Sequence, residues 1–152
     1  MVFIGIDPGK SGALAVLCEG GETVLTPFDE LGYRNALSRV AAMPARAAAV
    51  VERVGAMPKQ GVTSMFSFGT NYGYIQGLLS AFAIPYELVV SAKWKKAFGV
   101  TADKNTSIAV AQRLFPDVDL RRTQNCRKPD DGMAEALLMA EYARRKFGCS
   151  EG

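Results

Sequence analysis

Histidine is absent from this 152-residue sequence, and its absence restricts the chemistry open to the chain. A Ser-His-Asp triad, a Cys-His pair and a histidine-bound zinc ion are all excluded. Any catalysis must therefore depend on carboxylates, lysines, hydroxyl groups or a metal ion held by oxygen ligands.

Cysteine and long apolar segments are also scarce. Cys18, Cys126 and Cys149 are an odd number of thiols without CxxC spacing, so we expect free thiols in place of a disulfide framework or a zinc site. No apolar run approaches the roughly 20 residues that span a bilayer. No basic region precedes the apolar N-terminal residues, as it would in a signal peptide. These features favour a cytoplasmic protein without membrane contact.

The remaining composition is that of an ordinary globular protein. With 49% hydrophobic and 22% charged residues, we expect residues 1–152 to form a single domain. The net charge of +3 is unevenly spread, because residues 91–128 contain nine basic and three acidic side chains. A basic segment beside an acidic remainder suits a protein that grips phosphates with one part and metal ions with another. A solvated surface with locally clustered charge is the alternative.

Hydrophobic periodicity and turn residues predict an α/β protein. Strands are predicted at residues 2–7, 13–18, 22–27, 47–52 and 86–90, and helices at 33–43, 71–83, 101–115 and 130–147, with a short helical turn at 94–98. The first three strands are joined by short turns, which predicts an antiparallel meander. The later strands return through helices and should add in parallel. We expect a mixed sheet covered by helices on both faces.

Four carboxylates occupy positions where a charge needs a partner. Asp7 and Glu52 each end an otherwise apolar strand, and a charge buried there without a partner is costly. Asp131 and Glu135 are four residues apart on a predicted helix and share a face with Leu138, which points that face toward the sheet. Acids on an inward face repel each other, and Mg²⁺ or Mn²⁺ bound by carboxylate oxygens relieves that repulsion.

Each position also has a simpler explanation when it is taken alone. The Asp7-Pro8-Gly9 sequence is typical of a plain turn. Glu52 could be a surface charge at a strand end, and Asp130 or Asp131 could cap a helix. Their joint placement favours a metal site over four separate coincidences.

Further motifs surround these acids. Residues 4–9 (IGIDPG) are followed by 11–15 (SGALA), and Val51-Glu52 is followed much later by 131–137 (DGMAEAL). Together they resemble the RuvC-type Holliday junction resolvases of the ribonuclease-H-like superfamily, over nearly the whole chain. Residues 57–61 (MPKQG), 66–73 (FSFGTNYG), 94–95 (WK) and 114–116 (LFP) are similar to the phage and chloroplast (MOC1-like) branch.

The resemblance implies a ribonuclease-H-like fold with a mixed five-stranded sheet, a homodimer, and paired symmetric cuts in four-way junction DNA. Such an enzyme acts in recombination, repair or phage DNA processing, in a bacterial or phage-infected cell. It needs no nucleotide cofactor.

The resemblance also implies a metal site with catalytic ligands Asp7, Glu52, Asp131 and Glu135. Two Mg²⁺ ions, for which Mn²⁺ can substitute, would activate water and stabilise the leaving 3′ oxygen, so that the products carry 5′-phosphates. Asp7 would bridge the two ions. Lys104 would be the catalytic lysine beside the phosphate being cut, with Lys95 a looser match.

Three features depart from the bacterial enzymes. There, the last two acids are three residues apart and both are Asp, whereas here the spacing is four and the second acid is Glu135. Asp130 could compete with Asp131 as a ligand. Gly55 stands where the bacterial enzymes have an aromatic wedge, so Met57 or Phe66 would have to supply one.

Two segments carry the predicted DNA contacts. Residues 60–74 are rich in hydroxyl, amide and aromatic side chains, which suits unstacked bases, although a polar loop leading into a core helix explains them equally. The basic segment would hold phosphates. The predicted DNA-binding residues are Lys59, Gln60, Ser67, Asn71, Tyr72, Lys95, Lys96, Arg121, Arg122, Arg127 and Lys128.

Other functions remain open. A Gly-Ile-Asp-x-Gly turn also cradles phosphate in actin-like and Hsp70-like folds, but those chains need two such domains, for which 152 residues leave no room. A flap or RNA–DNA hybrid nuclease on the same fold is a second alternative. A non-catalytic junction-binding relative is a third, and the four acids argue against it because a pure DNA binder gains nothing from negative charge near phosphates.

Overall fold

A five-stranded mixed sheet forms the centre of the protein in a computed structural model, which describes residues 1–56 and 58–148. The strands are β1 (Val2–Asp7), β2 (Ala13–Cys18), β3 (Thr23–Pro27), β4 (Ala47–Arg53) and β5 (Tyr86–Val90). Their order in the sheet is β3-β2-β1-β4-β5. The pairs β1–β2 and β2–β3 are antiparallel, whereas β1–β4 and β4–β5 are parallel. The predicted meander with parallel additions is confirmed.

Helices cover both faces of this sheet. They are α1 (Glu30–Ala42), α2 (Val62–Ala81), α3 (Ser91–Phe98), α4 (Lys104–Leu114) and α5 (Asp131–Phe147). On one face, α5 packs with Trp94 of α3 and Ala111 of α4 in one buried cluster. On the other face, Leu37 of α1 and Leu79 of α2 belong to a second cluster. This is the α/β architecture with two covered faces that the sequence predicts.

Close contact between α5 and β1 depends on glycine. A side-chain carbon added at Gly5 would lie 2.1 Å from the backbone nitrogen of Ala140 and 2.2 Å from the carbonyl oxygen of Ala136. One added at Gly132 would lie 2.1 Å from the carbonyl oxygen of Ser11. Only glycine leaves room for the helix to rest directly on the strand and for its first turn to meet the β1–β2 turn.

Helix α2 begins much earlier than the sequence predicts, at Val62 instead of residue 71. Its first turns are missed because Val62 and Phe66 point into solvent and leave no buried stripe for periodicity to detect. Hydroxyl residues and Gly69 in the same stretch also have weak helix propensity. Residues 60–74 are therefore mostly helix and not a polar loop. Helix α1 likewise begins at Glu30, ahead of the predicted residue 33, because Asp29 caps it.

Three further expectations concern the cysteines, membrane-spanning helices and the residue that would wedge open a junction. Cys18 and Cys126 are free. Within residues 1–56 and 58–148, no helix is long and apolar enough to cross a bilayer. Cys149 and Met57, the latter one of the two residues considered as a junction wedge, lie outside the described residues.

Candidate active site

Asp7 and Glu52 end neighbouring parallel strands. In the β1–β4 pairing, Ile6 lies opposite Val51, so the next residues in register are Asp7 and Glu52. Both strands run in the same direction, and their carboxyl ends meet at one edge of the sheet. The structure therefore brings these two acids together, as the pattern of apolar strands ending in an acid predicts.

Asp131 and Glu135 reach the same edge from α5. The helix crosses β1 at Gly5, and its first turn sits against the turn that follows Asp7. The side chain of Glu135 is only 13% exposed, and that of Asp131 is 34% exposed. The two acids thus lie on the inward side of the helix, one turn apart.

The pKa values of Asp7 and Glu52 reflect the acids gathered at this edge. Burial is the largest cause that raises the pKa of Asp7 well above its ordinary value, and the charges of Glu52, Glu135 and Asp131 raise it further. Burial also raises the pKa of Glu52, with a further rise from Glu135. Negative charge at this edge is therefore unfavourable unless a cation accompanies it.

Two lysines and a serine contact the acids of α5. Lys104 Nζ lies 2.9 Å from Asp131 Oδ2, and Lys95 Nζ lies 3.5 Å from Glu135 Oε1. Ser107 Oγ donates a hydrogen bond to Glu135 Oε1 at 3.2 Å. The two lysines that the resemblance implies for the site thus lie beside its acids.

Two contact residues were not predicted. Ser107 follows Lys104 by one helical turn, so a face analysis of α4 could have found it. The Trp94 indole nitrogen donates to Glu52 Oε2 at 2.8 Å. No sequence signal specifies that bond, because it joins side chains from different elements.

The donor set fits a divalent cation, although the side chains do not enclose one as they stand. Within residues 1–56 and 58–148, no three ligand-type side chains converge closely enough to hold a metal. Asp131 and Glu135 instead pair with Lys104 and Lys95. Carboxylate oxygens are the donors that Mg²⁺ and Mn²⁺ prefer, and a cation would relieve the repulsion that raises the pKa of Asp7.

Asp130 is engaged elsewhere, which separates it from Asp131. Its Oδ1 accepts a hydrogen bond from the backbone nitrogen of Met133 at 3.0 Å, and its Oδ2 lies 3.2 Å from Arg122 Nε. Arg122 also donates to the carbonyl oxygens of Ser11 and Gly12. Asp130 therefore caps α5, while Arg122, a predicted DNA contact, ties the start of α5 to the β1–β2 turn.

A polar groove of about 320 Å³ holds three of the predicted DNA contacts. It is lined by Lys10, Gln60, Thr63, Ser64, Ser67, Phe68 and Asn71. Tyr72 lines an adjoining smaller groove with Gln60. Lys10 was not predicted as a DNA contact, although its position in the turn near Asp7 could have indicated that it lies at the site. The groove thus connects the start of α2 with the turn that carries the first acid.

The predicted basic contacts fall into two groups. Lys59, Lys96, Arg127 and Lys128 are exposed. Arg121 pairs with Asp119 at 2.7 Å, and Arg122 and Lys95 are likewise held in ion pairs within the chain. The first group is therefore the more available to phosphates.

Comparisons with known proteins identify the fold. No protein-family model matches this sequence, and no curated protein matches it either. Two structures of RuvC from Thermus thermophilus, one in complex with a Holliday junction substrate, match with a TM-score of 0.58 each. The RuvC chain in the complex is 15% identical to this chain, and the match covers 97% of this chain and 96% of the RuvC chain. The second is 16% identical and covers 97% of both. The yeast mitochondrial Holliday junction resolvase is 12% identical, covers 93% of this chain and 77% of its own, and has a TM-score of 0.48.

This chain therefore has the RuvC-type ribonuclease-H-like fold over nearly its whole length. The expected resemblance to that fold is confirmed. The comparisons do not support placing the chain nearest to the phage and chloroplast branch.

Proposed function

We propose that this protein is a metal-dependent endodeoxyribonuclease that resolves four-way DNA junctions by paired symmetric phosphodiester hydrolysis. The observation that carries the proposal is the meeting of four acids from β1, β4 and α5 at one edge of the sheet. The fold adds support, since it is shared with a RuvC that was solved with a Holliday junction substrate.

Asp7, Glu52, Asp131 and Glu135 are the proposed ligands of two Mg²⁺ ions, with Mn²⁺ as a substitute. Bound ions supply an activated water and stabilise the leaving 3′ oxygen, so that the products carry 5′-phosphates. Asp7 is the proposed central ligand because the other three acids all act on its pKa. Asp130 is left out because Met133 and Arg122 engage its oxygens.

The two lysines have different proposed roles. Lys104 is 73% exposed and reaches Asp131 from the protein surface. Once Asp131 is engaged as a ligand, the ammonium group of Lys104 is free to turn to the scissile phosphate and stabilise its growing negative charge. Lys95 is only 26% exposed beside Glu135, so it is suited to neutralising charge inside the site.

The proposed DNA path follows the accessible basic and polar residues. Lys96, Arg127 and Lys128 would contact phosphates, which supplies affinity without sequence preference. The groove between Lys10 and Asn71 offers hydroxyl and amide groups together with the ring of Phe68. Such a surface suits the unstacked nucleotides at the centre of a junction.

The outward face of α2 is the proposed homodimer interface. The 20 residues of α2 include no charged side chain, and Val62 and Phe66 on this face are 84% and 77% exposed. Gly69, Gly73 and Gly77 continue the same face, and a methyl group added at any of them would meet no atom of the described chain. A second copy is the proposed occupant of this uncharged strip, because a pseudo-two-fold junction that is cut symmetrically calls for a two-fold enzyme.

A substrate panel tests the proposed function. The protein is incubated with labelled four-way junction, linear duplex, flap and RNA–DNA hybrid, with Mg²⁺ or with a chelator. We expect symmetric nicking of the junction in Mg²⁺ only. Equal cleavage of the flap or the hybrid would contradict the junction assignment, and tight junction binding without any cleavage would point to a non-catalytic binder.

A further inference from the structure

Trp94 connects the buried core to one of the proposed metal ligands. It is the sole tryptophan of the chain and is fully buried. Helix α3 begins at Ser91, directly after β5 ends, and Val89 of β5 lies opposite Glu52 in the sheet. Because α3 follows β5 without an intervening loop, it places the indole beside Glu52 on the neighbouring strand.

The indole engages one oxygen of the Glu52 carboxylate. Its nitrogen lies 2.8 Å from Oε2, and in the described part of the chain it is the one side chain that donates a hydrogen bond to Glu52. Tryptophan has a single donor and no charge, so it orients a carboxylate without competing with a cation for the second oxygen. The adjacent Lys95 pairs with Glu135 instead.

We propose that Trp94 is a positioning residue of the metal site, whose indole N–H holds Glu52 Oε2 so that the other carboxylate oxygen faces the cation. This inference rests on the proposed function, since Glu52 is a metal ligand only there. Hydrogen bonds to ligands from surrounding residues are a general means of fixing ligand orientation and metal affinity.

A consequence is that Trp94 reports on the state of the site. A cation bound at Glu52 changes the charge next to the indole and the strength of its hydrogen bond. Since no other tryptophan is present, the emission comes from this position when the excitation wavelength is one that the five tyrosines do not absorb.

The first test removes the donor but keeps the shape of the ring. Biosynthetic replacement of tryptophan by benzothienylalanine substitutes sulfur for the indole N–H, and it alters Trp94 alone. We expect Mn²⁺ affinity, measured from the EPR signal of free Mn²⁺, to fall about tenfold or more. The melting temperature without metal should fall only modestly, because the buried ring is retained and a single hydrogen bond is lost. Unchanged Mn²⁺ affinity would show that Trp94 only packs the core, and would overturn the inference.

The second test follows the emission of Trp94 during Mg²⁺ titration of the unsubstituted protein. We expect a saturable change that is lost in Glu52→Gln and kept in Glu22→Gln, an exposed acid at the far end of the sheet. Calorimetric Mg²⁺ binding with no change in emission would overturn the role of Trp94 and leave the nuclease proposal standing. Absence of any metal binding to the unsubstituted protein would overturn both.

Discussion

Asp7 is half-buried beside three other acids, so its negative charge is unfavourable in the folded protein. Burial and the charges of Glu52, Glu135 and Asp131 raise its pKa, and Lys95 only partly offsets them. The proposed metal site accounts for this conflict, because a bound cation would offset the negative charge. Asp7 therefore links the stability of the protein to its chemistry.

Asp7→Asn should stabilise the metal-free protein at neutral pH. The amide keeps the size of the side chain and removes the repelled charge, so we expect a gain of about 1 kcal/mol or more in the free energy of unfolding, measured with urea. Asp117→Asn is the control, since that acid is exposed outside the site, and its effect should stay within about 0.5 kcal/mol.

The pH dependence of this difference has a defined sign. Because the pKa of Asp7 is raised in the folded state, its contribution to stability is fully present below about pH 4 and is lost as the pH rises through the raised pKa. The advantage of Asp7→Asn should therefore be small in acid and grow toward neutral pH. An advantage that is constant with pH would show that charge is not its cause.

Lys104 should matter for cleavage and little for stability. Its ion pair with Asp131 is exposed on the lysine side, and exposed pairs contribute little to folding. We expect Lys104→Met to slow junction cleavage by about a hundredfold, with a nearly unchanged melting temperature and junction affinity. Lys93→Met, an exposed lysine of the same basic segment, is the matched control and should cleave normally. Equal losses of cleavage activity in both variants would mean that Lys104 contributes only through the total positive charge of the segment.

At the scale of elements, the site depends on how the first turn of α5 is anchored. Arg122 joins Asp130, the cap of α5, to the carbonyl oxygens of Ser11 and Gly12. This clamp sits between the turn after Asp7 and the helix that carries Asp131. We therefore expect Arg122 to act on stability, whereas the neighbouring Arg127 and Lys128 are exposed.

Replacement by methionine should therefore have different effects at Arg122 and at Arg127. Loss of Arg122 removes charged hydrogen bonds and should lower the free energy of unfolding by about 2 kcal/mol. Loss of Arg127 should leave folding intact, weaken junction binding uniformly, and reduce the salt slope of binding by about 1. A reduced salt slope of binding with normal stability in Arg122→Met would support its predicted role as a DNA contact instead.

Elements were predictable where the chain shows a clear apolar period. The five strands and the start of α5 were found because apolar runs, turns and capping residues agree there. The start of α2 was not, because Val62 and Phe66 face outward and leave no buried apolar stripe in that segment. The four acids could be predicted because two of them end apolar strands and the other two share one face of a helix. The hydrogen bond from Trp94 to Glu52 depends on tertiary packing, which no local pattern encodes.

For the whole molecule, the uncharged face of α2 predicts self-association. Gly73→Arg places a charge on the open strip and should convert a dimer into a monomer in light scattering, with junction cuts that are no longer paired in time. Ala41→Arg, at an exposed position on α1, should leave the dimer intact. Dimers that persist in Gly73→Arg would place the interface elsewhere, and a monomeric unsubstituted protein at working concentration would contradict the two-fold enzyme.

The measurement that tests the central claim most directly compares the unsubstituted protein with Asp7→Asn on one end-labelled four-way junction. In Mg²⁺, the unsubstituted protein should produce paired symmetric nicks with 5′-phosphate ends, and none in chelator. Asp7→Asn should bind the same junction and leave it uncut. Cleavage by Asp7→Asn at the unsubstituted rate, or cleavage in chelator, would contradict a metal-dependent site centred on Asp7.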